Sequence, residues 1–107
     1  MRPGAREEIL TVVQTVQAAA RAVDPDQGSE GVTAFLLVFE DDERPATAPE
    51  DLRGEFRSAA EEIDPDGTDP DVGTVAATAY WLATNPGDAD DPERAIREGR
   101  RLFFGEQ

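Results

Sequence analysis

The fold is decided by residues 69–84, whose sequence is DPDVGTVAATAYWLAT. Asp69 is a residue type that caps helix N-termini, and Pro70 suits the first helical position, where its missing N–H is not needed. Apolar residues then recur at three- and four-residue steps up to Ala83, as on the buried face of a helix. Because the following Asn-Pro-Gly sequence ends such an element, the stretch predicts a helix over residues 70–84.

The same start signal recurs at Asp91 and Pro92, and it predicts a last helix over residues 92–104. Gly105 is placed to end this helix in the left-handed conformation. The residues predicted to face inward are Ala95, Ile96, Gly99, Leu102 and Phe103.

Two further amphipathic stretches precede these helices, over residues 5–23 and 49–63, and an Asp-Pro pair follows each of them. The residue before a proline avoids helical geometry, so each helix is expected to end just before that aspartate. The sequence Thr-Ala-Pro-Glu at 47–50 has the spacing of a capping box, and it predicts the start of the second of these helices.

Residues 32–41 begin with the apolar run VTAFLLVF, which suits a buried strand as well as a buried helix. An internal echo favours the helix, because AAARAVDPD at 18–26 aligns with SAAEEIDPD at 58–66 at an offset of 40 residues. With a two-residue insertion, the alignment goes on to pair residues 32–42 with residues 74–84 of the predicted helix. We therefore predict an all-α fold, a small bundle of about five helices in one acidic domain over 1–107, with a strand at 32–41 as the alternative.

The charge of the chain is strongly negative. Twenty-four Asp and Glu residues face ten arginines, and Lys, His and Cys are absent, so the net charge is −14. Self-repulsion of this size is mostly screened in molar salt, where the Debye length falls to ~3 Å. The composition resembles that of proteins from salt-accumulating halophilic archaea and their viruses, which implies a cytoplasmic or virion location. The competing interpretation is a protein that imitates the phosphate track of nucleic acid.

Catalysis and cofactor binding find little support in the side chains present. Without Cys and His, disulfides and the usual zinc, haem and iron–sulfur sites are excluded, and a nucleophile would lack its base. The acidic segment at 64–71 is a candidate for a weak cation site, although it lacks the spacing of an EF-hand loop. We expect no enzyme activity, no cofactor and no metal. The acidic surface disfavours direct nucleic-acid binding, and no apolar run is long enough to span a membrane.

The C-terminal segment is the part of the sequence that is not acidic. Residues 92–107 carry four arginines against three acidic residues, whereas residues 1–91 carry six arginines against 21. Because Phe103 and Phe104 are adjacent, one helix face cannot bury both. Arginine and aromatic residues are enriched at protein interfaces. The residues predicted to form an interface are Tyr80, Trp81, Arg94, Arg97, Arg101, Phe103 and Phe104. The alternative is that the aromatic residues fill the core and the last helix packs against this chain's own acidic surface.

The sequence AATAYWLA at 76–83 stands between the predicted helix at 49–63 and the Arg-rich last helix. This arrangement over 49–104 resembles the small head–tail adaptor proteins of tailed viruses, a helical family that forms rings between portal and tail. The resemblance implies a non-catalytic assembly subunit whose partners are copies of itself or neighbouring subunits, and it assigns no site residues. One alternative is an acidic soluble regulator that binds a basic partner, such as a DNA-binding protein. Another is a protein with a small-molecule pocket among its helices.

Overall fold

The computed structural model describes residues 10–105, and within them the chain is helical without any β-sheet, which confirms an all-α small bundle. The α-helices are α1 Val12–Val23, α2 Glu30–Val38, α3 Leu52–Ile63, α4 Pro70–Thr84 and α5 Pro92–Phe104, and a 3₁₀ turn at Pro86–Asp90 joins the last two. Residues 32–38 of the apolar run therefore lie in α2, Phe39 is its C-cap, and the strand alternative is wrong. No helix in this part of the chain is long and apolar enough to cross a membrane.

Helix α4 is the centre of the bundle and packs against the four other helices. Its buried side chains cover most of its circumference rather than a single stripe. Many of them are alanines, so neighbouring helices approach closely: a Cβ atom added at Gly99 of α5 would lie 2.6 Å from the carbonyl oxygen of Ala77. The buried Thr78 hydroxyl donates to the carbonyl oxygen of Thr74 at 2.8 Å, so this polar group is satisfied within its own helix.

Three phenylalanines join α2 to α3. Phe35 and Phe56 are fully buried, and Phe39 is nearly so. Their ring centroids lie 5.2, 5.7 and 5.1 Å apart in tilted and edge-to-face arrangements. Each such pair adds about 0.5–1.5 kcal/mol to the effect of burying the ring. In a core made largely of alanine and valine, these rings supply the bulk that fixes α2 against α3.

The predicted N-caps of the last two helices are confirmed. The Asp69 carboxylate accepts the backbone N–H of Asp71, the Asp91 carboxylate accepts that of Arg94, and both helices have proline in the first turn. Gly105 ends α5 with a φ of 70°, in the left-handed region, as predicted. Local sequence signals were sufficient at these helix ends.

The predicted start of α3 is wrong, because the helix begins at Leu52 with Asp51 as its N-cap rather than at Pro49. The reason is a contact outside the helix. The backbone N–H of Ala46 donates to the carbonyl oxygen of Leu10 at 2.8 Å, so the segment before α3 pairs with the chain ahead of α1. The capping-box spacing is present in the sequence, but the chain turns at 45–48, where the Ala48 N–H donates to the carbonyl oxygen of Pro45 at 2.9 Å, and Asp51 caps the helix instead.

Helix α1 begins at Val12, whereas the sequence predicted a helix over 5–23. Residues 5–9 lie outside the described part of the chain. Thr11 is the N-cap and forms a capping box with the helix it precedes. Carbonyl oxygens of the loop at 42–44 accept two N–H groups of the first turn, so this loop completes the N-terminus of α1.

Arg44 ties the same loop to α3. Its guanidinium group lies 2.6 Å from the Asp42 carboxylate and 2.8 Å from the Glu55 carboxylate. The hydrogen bond from Arg44 lowers the pKa of Asp42, and partial burial opposes this effect. The two carboxylates in turn raise the pKa of Arg44. The three charges therefore act as one small network that orients the loop beneath α1.

The two Asp-Pro turns have the same conformation. Asp24 and Asp64 end α1 and α3, and each carboxylate accepts backbone N–H groups four and five residues further on. The equivalent residues Gln27 and Gly67 both have positive φ, 57° and 67°. The N-caps of α2 and α4 follow at the same distance. The offset therefore stays at 40 residues into the next helix, and the two-residue insertion assumed in the alignment is wrong.

Candidate protein–protein interface

Helix α5 buries one stripe of residues. Ala95, Gly99 and Phe103 are buried at four-residue steps, and Arg97 on the other side is exposed, as predicted. Leu102 was predicted to face inward, and this is wrong because its side chain is 45% exposed. Each residue turns the helix by about 100°, so a stripe that follows four-residue steps leaves Leu102 at its edge.

The outer stripe of α5 is defined here as Arg97, Arg101 and Phe104. These residues stand four and three positions apart, so they lie along one face of the helix. The arginine side chains are 61% and 59% exposed, and Phe104 is 45% exposed. Both guanidinium groups lie near the Glu98 carboxylate, at 3.4 and 3.6 Å. Exposed pairs of this kind are worth roughly 0–1 kcal/mol, so the arginines can exchange this contact for one with a partner.

The two adjacent phenylalanines divide as the sequence predicted, one buried and one exposed. The ring of Phe103 lies 5.9 Å from that of Tyr80 and packs edge-to-face against Phe104 at 5.3 Å. A Cβ atom added at Gly73 of α4 would lie 3.3 Å from the end of the Phe104 ring. Phe104 therefore rests on α4 with part of its ring and leaves the remainder exposed.

Two arginines of α3 that the sequence analysis missed hold the carboxyl end of α5. Arg53 and Arg57 both donate to the carbonyl oxygen of Phe103, and their guanidinium carbons lie 5.7 and 5.5 Å from the centre of its ring. Cations are favourable here because the last carbonyl groups of a helix carry partial negative charge. The sequence signal was their four-residue spacing on one face of α3. Their partner lies 46 to 50 residues away, and the spacing gives no information about it.

Arg100 is a further residue that the sequence analysis missed. Its guanidinium carbon lies 5.6 Å from the centre of the Phe104 ring, and its side chain donates to the Thr74 hydroxyl at 3.0 Å. These contacts anchor the end of α5 to α4. The outer stripe is therefore carried by an element whose orientation is fixed from two sides.

Trp81 and Arg94, also predicted for the interface, meet at Asp88. The indole N–H of Trp81 donates to the Asp88 carboxylate at 2.7 Å, and the Arg94 Nε donates to it at 3.1 Å. Trp81 is half-buried against the core, whereas Arg94 is exposed. The predicted residues fall into three groups, which are Tyr80 with Phe103, Trp81 with Arg94, and the outer stripe.

A second exposed surface lies between the end of α2 and α3. This α2–α3 groove has a volume of about 530 Å³, and its lining includes Val38, Phe39, Asp51, Glu55, Ser58 and Glu62. Val38 is 52% exposed, and Leu37 beside it is 56% exposed. Within residues 10–105, Glu55 pairs with Arg44, whereas Asp51 and Glu62 make no ion pair. The groove thus combines exposed apolar surface with two carboxylates, those of Asp51 and Glu62, that lack counter-ions within residues 10–105.

The acidic segment at 64–71 does not assemble ligands for a cation. Among the described residues, no group of three or more acidic side chains is arranged to hold a metal ion. The Asp64 carboxylate accepts two backbone N–H groups of its own turn, and Asp69 caps α4. These carboxylates therefore end one helix and start the next.

No protein-family model, curated protein or solved structure matches this chain. The resemblance to head–tail adaptor proteins stays a prediction from the sequence.

Proposed function

We propose that the protein is a non-catalytic assembly subunit that associates through the outer stripe of α5 with copies of itself or with neighbouring subunits. One observation carries this proposal. The stripe presents two exposed guanidinium groups and an exposed phenylalanine on the one segment of the sequence that is not acidic. Arginine and aromatic side chains are the types that interfaces favour. A second copy, with a net charge of −14, offers many carboxylates for the arginines to meet.

The way α5 is held supports the same proposal. Arg53 and Arg57 hold its carboxyl end, and Gly99 allows its backbone to approach α4 closely. A surface that is already ordered before binding loses less conformational entropy when a partner arrives. The outer stripe therefore suits a docking role better than the same residues would on a loose C-terminal segment.

The acidic surface supports a high-salt setting, in a halophilic archaeon or its tailed virus. In ordinary salt, two molecules of this net charge repel one another over a Debye length of about 8 Å. In molar salt the length falls to ~3 Å, so short-range contacts decide whether copies associate. In its most specific form the proposal is a ring-forming head–tail connector protein.

Light scattering after size-exclusion chromatography, in about 1–2 M KCl and over a range of protein concentrations, tests this function. We expect the wild-type protein to associate and Arg101→Glu to weaken association. Arg21→Glu is the matched control, because Arg21 is an exposed arginine on α1 and the substitution changes the charge equally. Circular dichroism checks that helicity is unchanged. A wild-type protein that stays monomeric at every concentration contradicts the proposal.

A regulator that binds a basic protein is the second candidate, and the carboxylates of the α2–α3 groove without counter-ions favour it. This function predicts that a basic nucleic-acid-binding protein is captured from a halophile lysate by the wild-type protein. The variant Glu62→Arg, which reverses a charge in the groove, would capture less of it. Because Glu62 is exposed on α3, its replacement leaves the core intact.

A further inference from the structure

We infer that the association is head-to-tail, with the outer stripe of α5 on one copy bound in the α2–α3 groove of the next. The inference rests on the proposed function and names the surface that the stripe meets. The molecule that binds in the groove is a second copy of this chain. The two surfaces differ in charge and belong to different helices, so each copy contributes one of them to each interface.

Charge complementarity selects this pairing. The outer stripe brings Arg97 and Arg101, both exposed, whereas the groove brings Asp51 and Glu62, which make no ion pair within residues 10–105. Pairing one stripe with another would place arginines against arginines, and pairing two grooves would place carboxylates against carboxylates. Like-charge contacts oppose docking, whereas opposite charges in direct contact set the register, and such short-range contacts persist in molar salt.

The apolar surfaces lead to the same pairing. Among the described residues, two of the large apolar side chains that are exposed belong to these surfaces: Val38 lines the groove, and Phe104 stands in the outer stripe. The groove has exposed Val38 at its lip and the edge of buried Phe39 in its lining. An aromatic side chain that enters a groove of this kind, surrounded by polar groups, is the usual anchor of an interface. Phe104 is the aromatic residue of the stripe.

The stripe cannot reach the groove of its own chain. Helix α5 is fixed to α4 by the close approach at Gly99, and its end is held by the arginines of α3. Helices α2 and α5 both pack against α4 and have no extensive contact with each other. The contact must therefore form between copies. An interface made of two different patches leaves one free patch at each end, so it generates closed rings or open filaments rather than closed two-fold dimers.

Mixing two damaged variants tests the inference. The stripe variant carries Arg101→Glu and Phe104→Gln, and the groove variant carries Val38→Gln and Glu62→Gln. Each retains one intact surface, and both are compared with Arg21→Glu in about 1 M KCl. Alone, each variant is expected to have a dissociation constant for self-association at least about tenfold higher than that of the wild-type protein, as after loss of one interface anchor. An equimolar mixture is expected to form a complex of one copy of each that grows no further, because the intact stripe of one fits the intact groove of the other.

The other results each overturn a defined part of the reasoning. If the groove variant assembles like the wild-type protein while the stripe variant does not, and mixing rescues nothing, the stripes pair with each other; the inference then fails and the proposed function stands. If the wild-type protein is monomeric in this salt, both fail. If either variant loses helicity by circular dichroism, the single changes Arg101→Glu and Glu62→Gln replace the double ones, since both positions are exposed.

Discussion

Replacing Gly99 by alanine tests the closest contact in the bundle, the approach of α5 to α4. The added Cβ atom would lie 2.6 Å from the carbonyl oxygen of Ala77, 2.9 Å from its carbonyl carbon and 3.1 Å from the Cα of Thr78. Ordinary contacts of a Cβ atom begin near 3.4 Å, so the shortest distance is 0.8 Å too small. All three atoms belong to the backbone of α4, so no side-chain rotation can relieve the clash, and the helices must move apart.

The expected cost follows from two opposing effects. Overpacking a well-packed site lowers the free energy of unfolding by about 1–3 kcal/mol. Alanine in place of glycine inside a helix raises it by up to about 1 kcal/mol. We therefore expect Gly99→Ala to lower the free energy of unfolding by about 1–2 kcal/mol. For a domain of this size, that corresponds to a fall in Tm of roughly 5–15 °C. Urea unfolding followed by far-ultraviolet circular dichroism, in molar KCl, measures the change.

Gly73→Ala is the matched control. Gly73 also lies inside a helix, but its added Cβ atom would meet the end of the Phe104 ring at 3.3 Å, and this side chain can shift. We expect this variant to be neutral or up to about 1 kcal/mol more stable than the wild-type protein. If Gly99→Ala is as stable as Gly73→Ala, then α5 does not sit this close to α4 and the reasoning fails.

Three further predictions concern the loop, the turn and the charge. Because the Arg44 guanidinium lowers the pKa of Asp42, this ion pair stabilises the fold at pH values above the usual carboxyl pKa, and the stabilisation is lost as the pH falls below about 4. In an NMR titration of the carboxyl groups, Arg44→Ala should raise the pKa of Asp42. An unchanged Asp42 titration would contradict the assignment. Gln27→Gly should raise the free energy of unfolding by about 0.5–1 kcal/mol, because Gln27 has the left-handed conformation that Gly67 has at the equivalent turn position. A loss of stability in urea unfolding would argue against this turn geometry. Circular dichroism between about 0.1 and 3 M KCl should show helix content and stability rising with salt; equal stability at both ends would argue against a halophilic setting.

The parts of the fold that could be predicted are those set by short-range chemistry. Asp69 and Asp91 cap the helices that follow them because the cap and its N–H partner lie within three residues. The start of α3 could not be predicted in this way, since the segment ahead of it is held by a hydrogen bond from Ala46 to Leu10, 36 residues earlier in the chain, and local spacing does not reveal this contact. Leu102 was misplaced because helical spacing defines a stripe but not its edges.

In the candidate interface, too, the features set by local spacing could be predicted and those set by non-local contacts could not. The different fates of Phe103 and Phe104 follow from their adjacency on one helix, and the sequence alone predicted the split. The roles of Arg53 and Arg57 depend on α3 lying against the end of α5, which no local pattern encodes. The carboxylates of the α2–α3 groove stand on α3 alone, but the groove itself exists only because Val38 and Phe39 at the end of α2 lie beside them.

The alanine-rich surroundings of α4 have a consequence for temperature. Small side chains expose little apolar area when they become hydrated, and apolar hydration is the main source of the heat-capacity increment of unfolding. A bundle whose central helix packs through alanine and glycine should therefore have a small increment and a shallow stability curve. Such a molecule would lose little stability on either side of the temperature at which it is most stable.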